Sequence, residues 1–210
     1  GGLHEERQRE KPGGAGEMTS RIDIHPTAFV HPSAQIYGHV TIGPHASVWC
    51  NAVIRAETAH VEIHEGANIQ DFVMIHTDPG KPVVVGAYTS VTHHVTLHGC
   101  RVGDHCLIGI NATVYNGALV GAGSIVGQHA YLKDGFEAPE NSIIVGSPGK
   151  IISTRDNRLP NRINAEFYIR NGQCYAQGNY RAWDGPEFEA WFAATMHRLQ
   201  ANYAQGGTGA

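Results

Sequence analysis

Three histidines, His76, His93 and His98, stand 17 and 5 residues apart in a chain of 210 residues. Neutral imidazole is the commonest side-chain metal ligand, and three imidazoles with one open coordination position describe a catalytic zinc site. Such a site forms only where the fold brings the rings to one point, so the elements that carry them decide the chemistry.

Those elements are written in a six-residue period. Aliphatic residues recur at Ile24, Val30, Ile36, Ile42, Val48 and Ile54, and four places after each stands a small or β-branched residue, from Ala28 to Thr58. A second register carries Ile63, Ile69 and Ile75, a third Val85, Val91 and Leu97, and a fourth Val102, Ile108, Val114, Val120, Val126 and Leu132. The period is neither that of a helix nor simple strand alternation. It is the mark of a hexapeptide parallel β-helix, in which a short strand and a turn form each face of a triangular prism and three hexapeptides complete a coil. Gly43, Gly86, Gly103, Gly109, Gly121 and Gly127 follow aliphatic positions, and we expect them at tight corners with left-handed backbone angles. The predicted fold is mainly β, a left-handed parallel β-helix over residues 18–150. A C-terminal extension over 151–210 carries an amphipathic helix.

Within that extension the stretch Ser153 to Asn161 is polar and bridges to a different pattern. Ile163, Phe167 and Tyr168 suggest a short helix ending near Gly172, before an aromatic-rich segment with Tyr175, Tyr180 and Trp183. Phe188, Trp191, Phe192, Thr195, Met196, Leu199 and Tyr203 then recur at helical spacing after Pro186, which suits a first turn. This last helix should pack on the prism.

The period also places the histidines. His76 follows Ile75 and His98 follows Leu97, so both hold the second position of a hexapeptide, 22 residues apart. Between Ile75 and Val85 the register holds four residues more than one repeat, the Asp78 to Pro82 loop. Without that insertion the gap is 18, one coil, and the two imidazoles should stack on one face about 4.8 Å apart between backbones. His93 holds a third position near a corner and should point away from the pair. One subunit then offers two ligands on a face and one at an edge, and association about a threefold axis would bring the edge histidine of one chain to the pair of its neighbour. His94, beside His93, could be a ligand or a proton carrier. Seven other histidines (His25, His31, His39, His45, His64, His105 and His129) read as solvated turn residues.

Composition narrows the function classes. A net charge of -4 with scattered Lys and Arg offers no basic face, which argues against nucleic acid as a partner. No apolar run approaches the roughly 20 residues of a membrane span, and no secretory signal is legible, so we expect a cytoplasmic protein without membrane attachment. Cys50, Cys100, Cys106 and Cys174 lack paired spacing and read as reduced thiols. Residues 1–17 are charged and Gly-rich ahead of Met18, and we expect a flexible tail or tag remnant there.

From Ile24 to Lys150 the sequence resembles the gamma-class carbonic anhydrases and their homologues. The resemblance rests on Val53-Ile54-Arg55, Asn68-Ile69-Gln70-Asp71, His76, His93 and Leu97-His98-Gly99-Cys100, with Gly146-Ser147-Pro148-Gly149-Lys150 like the family's end of the prism. It implies that His76, His93 and His98 hold zinc, with iron or cobalt as alternatives, between subunits of a homotrimer. It further implies reversible hydration of carbon dioxide to bicarbonate, Gln70 as the group orienting hydroxide, and an Arg55–Asp71 ion pair near the subunit boundary. Where the family commonly shows Arg-Gly-Asp this chain reads Arg55-Ala56-Glu57, so Glu57 keeps the carboxylate on a longer arm. The Asp78 to Pro82 loop lacks a shuttle glutamate, which leaves His94 as the expected proton route. Two other functions fit hexapeptide repeats: a thioesterase or acyltransferase acting on coenzyme A thioesters, and a noncatalytic metal-binding scaffold. The Ile-Val-Gly-Ser-Pro ending is similar to members linked to phenylacetate or carnitine metabolism.

Overall fold

The computed structural model describes residues 21–205; the expected tail over 1–17 lies outside them. From Arg21 the chain winds a parallel β-solenoid of about seven left-handed turns. One face stacks Met74–His76, Thr96–His98, Thr113–Val114 and Tyr131–Leu132 in succession. A second stacks Val83–Val85, Arg101–Val102, Leu119–Val120 and Glu137–Ala138. The strands Gln35–Ile42 and Val53–Ile63 run around the corner between these faces and join them into one sheet. The third face runs from Phe29–Val30 to Ser142–Val145. There Lys150–Thr154 turns back antiparallel to the last strand.

The six-residue period exists because one side chain per strand points inward, and each inward residue lands on its counterpart one coil away. Ile36, Ile54, Ile75, Leu97, Val114 and Leu132 form such a column by register. From Ile54 to Leu132 the column is fully buried, as expected for parallel strands packed on both edges by neighbours. Two insertions break the period: Gly38 pairs with Ala56 but Val40 with Val61, and the Asp78 loop closes on itself through Lys81 N–H to Asp78 O at 2.9 Å.

The corners correct two expectations. Gly43, Gly86, Gly103, Gly109, Gly121 and Gly127 are absent from the left-handed region. Glycine is needed at Gly86 because a Cβ there would lie 2.4 Å from the backbone of Gly103 in the next coil. The left-handed corner angles fall largely on residues with side chains, including Phe72, Tyr88, His94, His105, Asn111 and His129, at φ of 54–60°. Their strain is offset by a backbone bond to the preceding coil, as from His94 N–H to Asp71 O (3.1 Å) and Asn111 N–H to His93 O (3.1 Å). The second correction concerns His105. It is buried, stacked on Tyr88 at 5.5 Å and covered by a helix whose Asn161 donates to its carbonyl (2.8 Å), so it is no solvated turn residue. Burial, helped by the nearby Arg162 charge, lowers its pKa from the ordinary 6.5.

Helix α1, Arg158–Ala176, starts inside the stretch read as a polar bridge and runs past Gly172. Gly172 marks close approach to the prism: a Cβ there would meet Phe29 at 3.0 Å. α1 lies on the third face, against the strands from Phe29–Val30 to Ser90–Val91. Helix α2, Pro186–Ala204, has Pro186 in its first turn as expected. Its main packing is on α1, where Phe167 sits among Trp183, Phe188, Trp191 and Phe192. α1 is therefore the element that covers the prism, in place of the terminal helix expected there. Arg162 of α1 is buried, held by Glu166 at 2.9 Å and seated 3.4 Å over the Tyr88 ring; Arg198 of α2 reaches the same carboxylate at 3.1 Å. No helix among the described residues is long and apolar enough to cross a membrane.

Candidate metal centre

Strand alternation sends Ile75 and Leu97 inward and His76 and His98 outward. The register pairs His76 directly with His98, as the 18-residue count requires, and places Arg55 beside His76 one coil earlier. Nδ1 of His76 lies 3.0 Å from Nε2 of His98. On the far side Tyr115 stacks against His98 at 5.0 Å and 21°.

The neighbours of the pair fix its chemistry. Asn116 donates its amide nitrogen to Asp78 Oδ2 (2.6 Å), and its oxygen lies 2.8 Å from His98 Nδ1. A carboxylate can only accept, so the amide is oriented and its oxygen must accept the His98 Nδ1 proton. That leaves the lone pair of His98 on Nε2, the atom turned to His76, which is how a second residue aims a metal-ligating imidazole. Asn116 was missed in the sequence although it stands 18 residues, one coil, beyond His98. Glu57 bridges the other end, with Oε2 3.1 Å from His76 Nε2 and Oε1 accepting from Arg55 at 2.6 Å.

His93 sits at the corner that opens the same face, while His76 and His98 end the strands that cross it. Its Nδ1 lies 2.9 Å from Asp71 Oδ2. Within the chain Arg55 is paired with Glu57 and Asp71 with His93. Among the described residues no three His, Cys, Asp or Glu side chains gather closely enough to hold a metal; the pair and His93 occupy two edges of one face. Gln70 is buried, donating to Asn68 (2.9 Å), which in turn donates to Ser90 (2.8 Å). Gln70 and His93 line a cavity of about 400 Å³ with Asn164 and Tyr168 of α1. His94 is exposed in a left-handed corner, stacked flat on Phe72 at 5.0 Å and 2°. On the other side of Asp71, burial and then the carboxylate itself raise the pKa of Cys50, and the same two causes push Tyr168 up to about 12.

Short in-phase strands, three faces per coil and left-handed corners define a hexapeptide-repeat β-helix. The family model for bacterial transferase hexapeptides, six repeats, matches residues 21–56 and 99–134. The chain belongs to the gamma-carbonic-anhydrase-like group of hexapeptide-repeat proteins. It is 43% identical over 139 residues to a protein of Methanocaldococcus jannaschii named a probable carbonic anhydrase, across 65% of this chain and 87% of that one. It is 33% identical over 155 residues to carnitine operon protein CaiE of Escherichia coli K12, across 72% and 79%. Among solved structures, a candidate acetyltransferase of Bacillus cereus superposes with a TM-score of 0.73 at 29% identity, covering 75% of this chain and 93% of that one. A hexapeptide transferase family protein of Anaplasma phagocytophilum gives 0.70 at 29%, covering 73% and 92%.

Proposed function

We propose that the protein is a metal-dependent enzyme that reversibly hydrates carbon dioxide to bicarbonate, with its centre completed between subunits of a homotrimer. The observation that carries this is the register-paired His76 and His98, with facing ring nitrogens 3.0 Å apart. Two imidazole ligands of a tetrahedral zinc, each about 2.1 Å from the ion, stand roughly 3.4 Å apart, so the pair needs to open by only a few tenths of an ångström. The donor set is neutral imidazole, which suits zinc and also iron or cobalt.

His76 and His98 of one chain and His93 of its neighbour would hold the ion. Zinc would supply a Lewis-acid centre at which a water ionises near neutral pH. Asn116 keeps the His98 lone pair aimed outward, and Asp71 does the same for His93 through Nδ1. Gln70, its amide nitrogen donating to Asn68, keeps a carbonyl oxygen with which to accept a hydrogen bond from the attacking group. Arg55, held by Glu57, offers a guanidinium fork to the bicarbonate product. His94, exposed and outside the hydrogen-bonded set, suits a carrier of protons to solvent.

The likeness to the candidate acetyltransferase supports a second function, acyl transfer from a coenzyme A thioester without metal. Metal analysis and a carbon dioxide hydration assay on the wild type and His98→Ala separate the two. We expect about one zinc per chain, a mass three times the 22.7 kDa chain, and loss of hydration in the variant. Metal-free protein that transfers or hydrolyses acyl groups would sink the hydratase proposal, and a stable monomer would leave its site incomplete.

A further inference from the structure

The segment between α1 and α2 closes a cavity of about 480 Å³ against the His93 corner, within the size range of small-molecule sites. Its walls include Trp49, Tyr168, Tyr175, Tyr180 and Trp183. Neighbouring rings meet nearly at right angles: Trp49 with Tyr168 (5.5 Å, 80°) and Tyr175 (5.0 Å, 79°), Tyr168 with Trp183 (5.9 Å, 81°), and Tyr175 with Tyr180 (4.9 Å, 72°). Rings set this way turn π faces in more than one direction, as the sides of a box do. Two carboxylates, Asp71 and Asp184, also line the space, and no lysine does. Its one guanidinium, Arg181, is paired with Asp184 and mostly exposed to solvent.

We propose that this cavity binds a small quaternary-ammonium cation. Such a cation has no N–H to donate, so it needs only π faces and diffuse negative charge, and aromatic boxes favour it over a neutral group of equal shape. Asp71, half-buried with Oδ2 held 2.9 Å from His93 Nδ1, supplies negative charge without closing a hydrogen bond to the guest. His93 and Asp71 line both this cavity and the proposed metal centre, so the test variants are placed at Tyr180 and Trp183 of the C-terminal segment to keep the two readouts separate.

The test is calorimetric titration of the full-length protein with choline and with 3,3-dimethylbutan-1-ol, its neutral isostere, at matched ionic strength. We expect choline to bind at least fivefold more tightly, with Trp183→Ala weakening it by roughly 5- to 30-fold and Trp183→Phe retaining most of the affinity. Tyr180→Ala, at a side chain 70% exposed, serves as a second variant that leaves folding intact, with a loss of at least fivefold. Equal affinity for the isostere, no binding of choline by the wild type, or unchanged binding in both alanine variants would overturn the proposal, whatever the hydration assay shows.

Discussion

Removing the Asn116 side chain by Asn116→Ala tests whether the histidine pair is tuned for metal or merely packed. Asn116 is buried at 8% exposure and makes two hydrogen bonds, one to His98 Nδ1 and one to the Asp78 carboxylate. A neutral bond contributes about 1 kcal/mol and one to a charged group roughly 1.5–3. Asp78 is only half-buried and can turn to water, so the net cost to folding should be about 1–2 kcal/mol. The effect on metal is separable. Loss of a partner behind a ligating histidine weakens metal binding about 10- to 100-fold, or roughly 1.4–2.7 kcal/mol, because His98 is then free to rotate or to carry its proton on Nε2. Asn116→Asp distinguishes the two effects: it still accepts from His98 Nδ1 but sets a carboxylate against Asp78. Stability should fall while zinc affinity stays within about threefold of wild type. Zinc competition against a chromophoric chelator and urea denaturation read the two quantities in parallel. Wild-type zinc affinity in Asn116→Ala, with reduced stability alone, would refute the positioning role.

Gly86→Ala should destabilise the protein by about 2 kcal/mol or more, since the new Cβ meets the Gly103 and Asp104 backbone at 2.4–2.5 Å. Gly80→Ala, whose Cβ meets nothing and pays only for φ of 71°, should cost about 1 kcal/mol; thermal melts compare them. His105 has a lowered folded pKa, so its neutral form is favoured in the folded state. Its contribution is full above the unfolded value of 6.5 and is lost as pH falls below it. His105→Asn, which tolerates the left-handed corner, should flatten the fall in urea midpoint between pH 7.5 and 5. Glu166→Ala strips the carboxylate from buried Arg162. It should cost about 3 kcal/mol in denaturant unfolding, with Glu166→Gln costing less.

The prism was legible because every inward residue repeats at a fixed interval, and a single count across the Asp78 loop sufficed to pair His76 with His98. Corner geometry was not legible from glycine alone. The glycines that follow the aliphatic positions, such as Gly86, serve close approach between coils, and the left-handed angle falls on other residues, Phe72, Tyr88 and His94 as well as Gly66 and Gly117, where a backbone bond to the coil before holds it. Gly172 misled for the same reason, as a contact with Phe29 that reads like a helix stop. Asn116 went unnoticed because no motif marks a positioning residue; only the distance of one coil from His98 does. Glu57 was named for its charge, but its bridge between Arg55 and His76 depends on the corner insertion after Ala56, which the aliphatic count records only as a nine-residue step from Ile54 to Ile63.

The antiparallel return of Lys150–Thr154 on Ser142–Val145 has a meaning for the protein in solution. A stack of parallel coils ends in unpaired backbone that invites another copy to continue the ladder, and a solenoid left open would be a template for fibres. The final coil's strands on the other two faces, Tyr131–Leu132 and Glu137–Ala138, are two residues long and offer little to copy. The four-residue strand that could seed growth is the one occupied, by a segment running the wrong way to be extended in register. Lateral assembly through the faces remains open while growth from the C-terminal end of the stack is blocked.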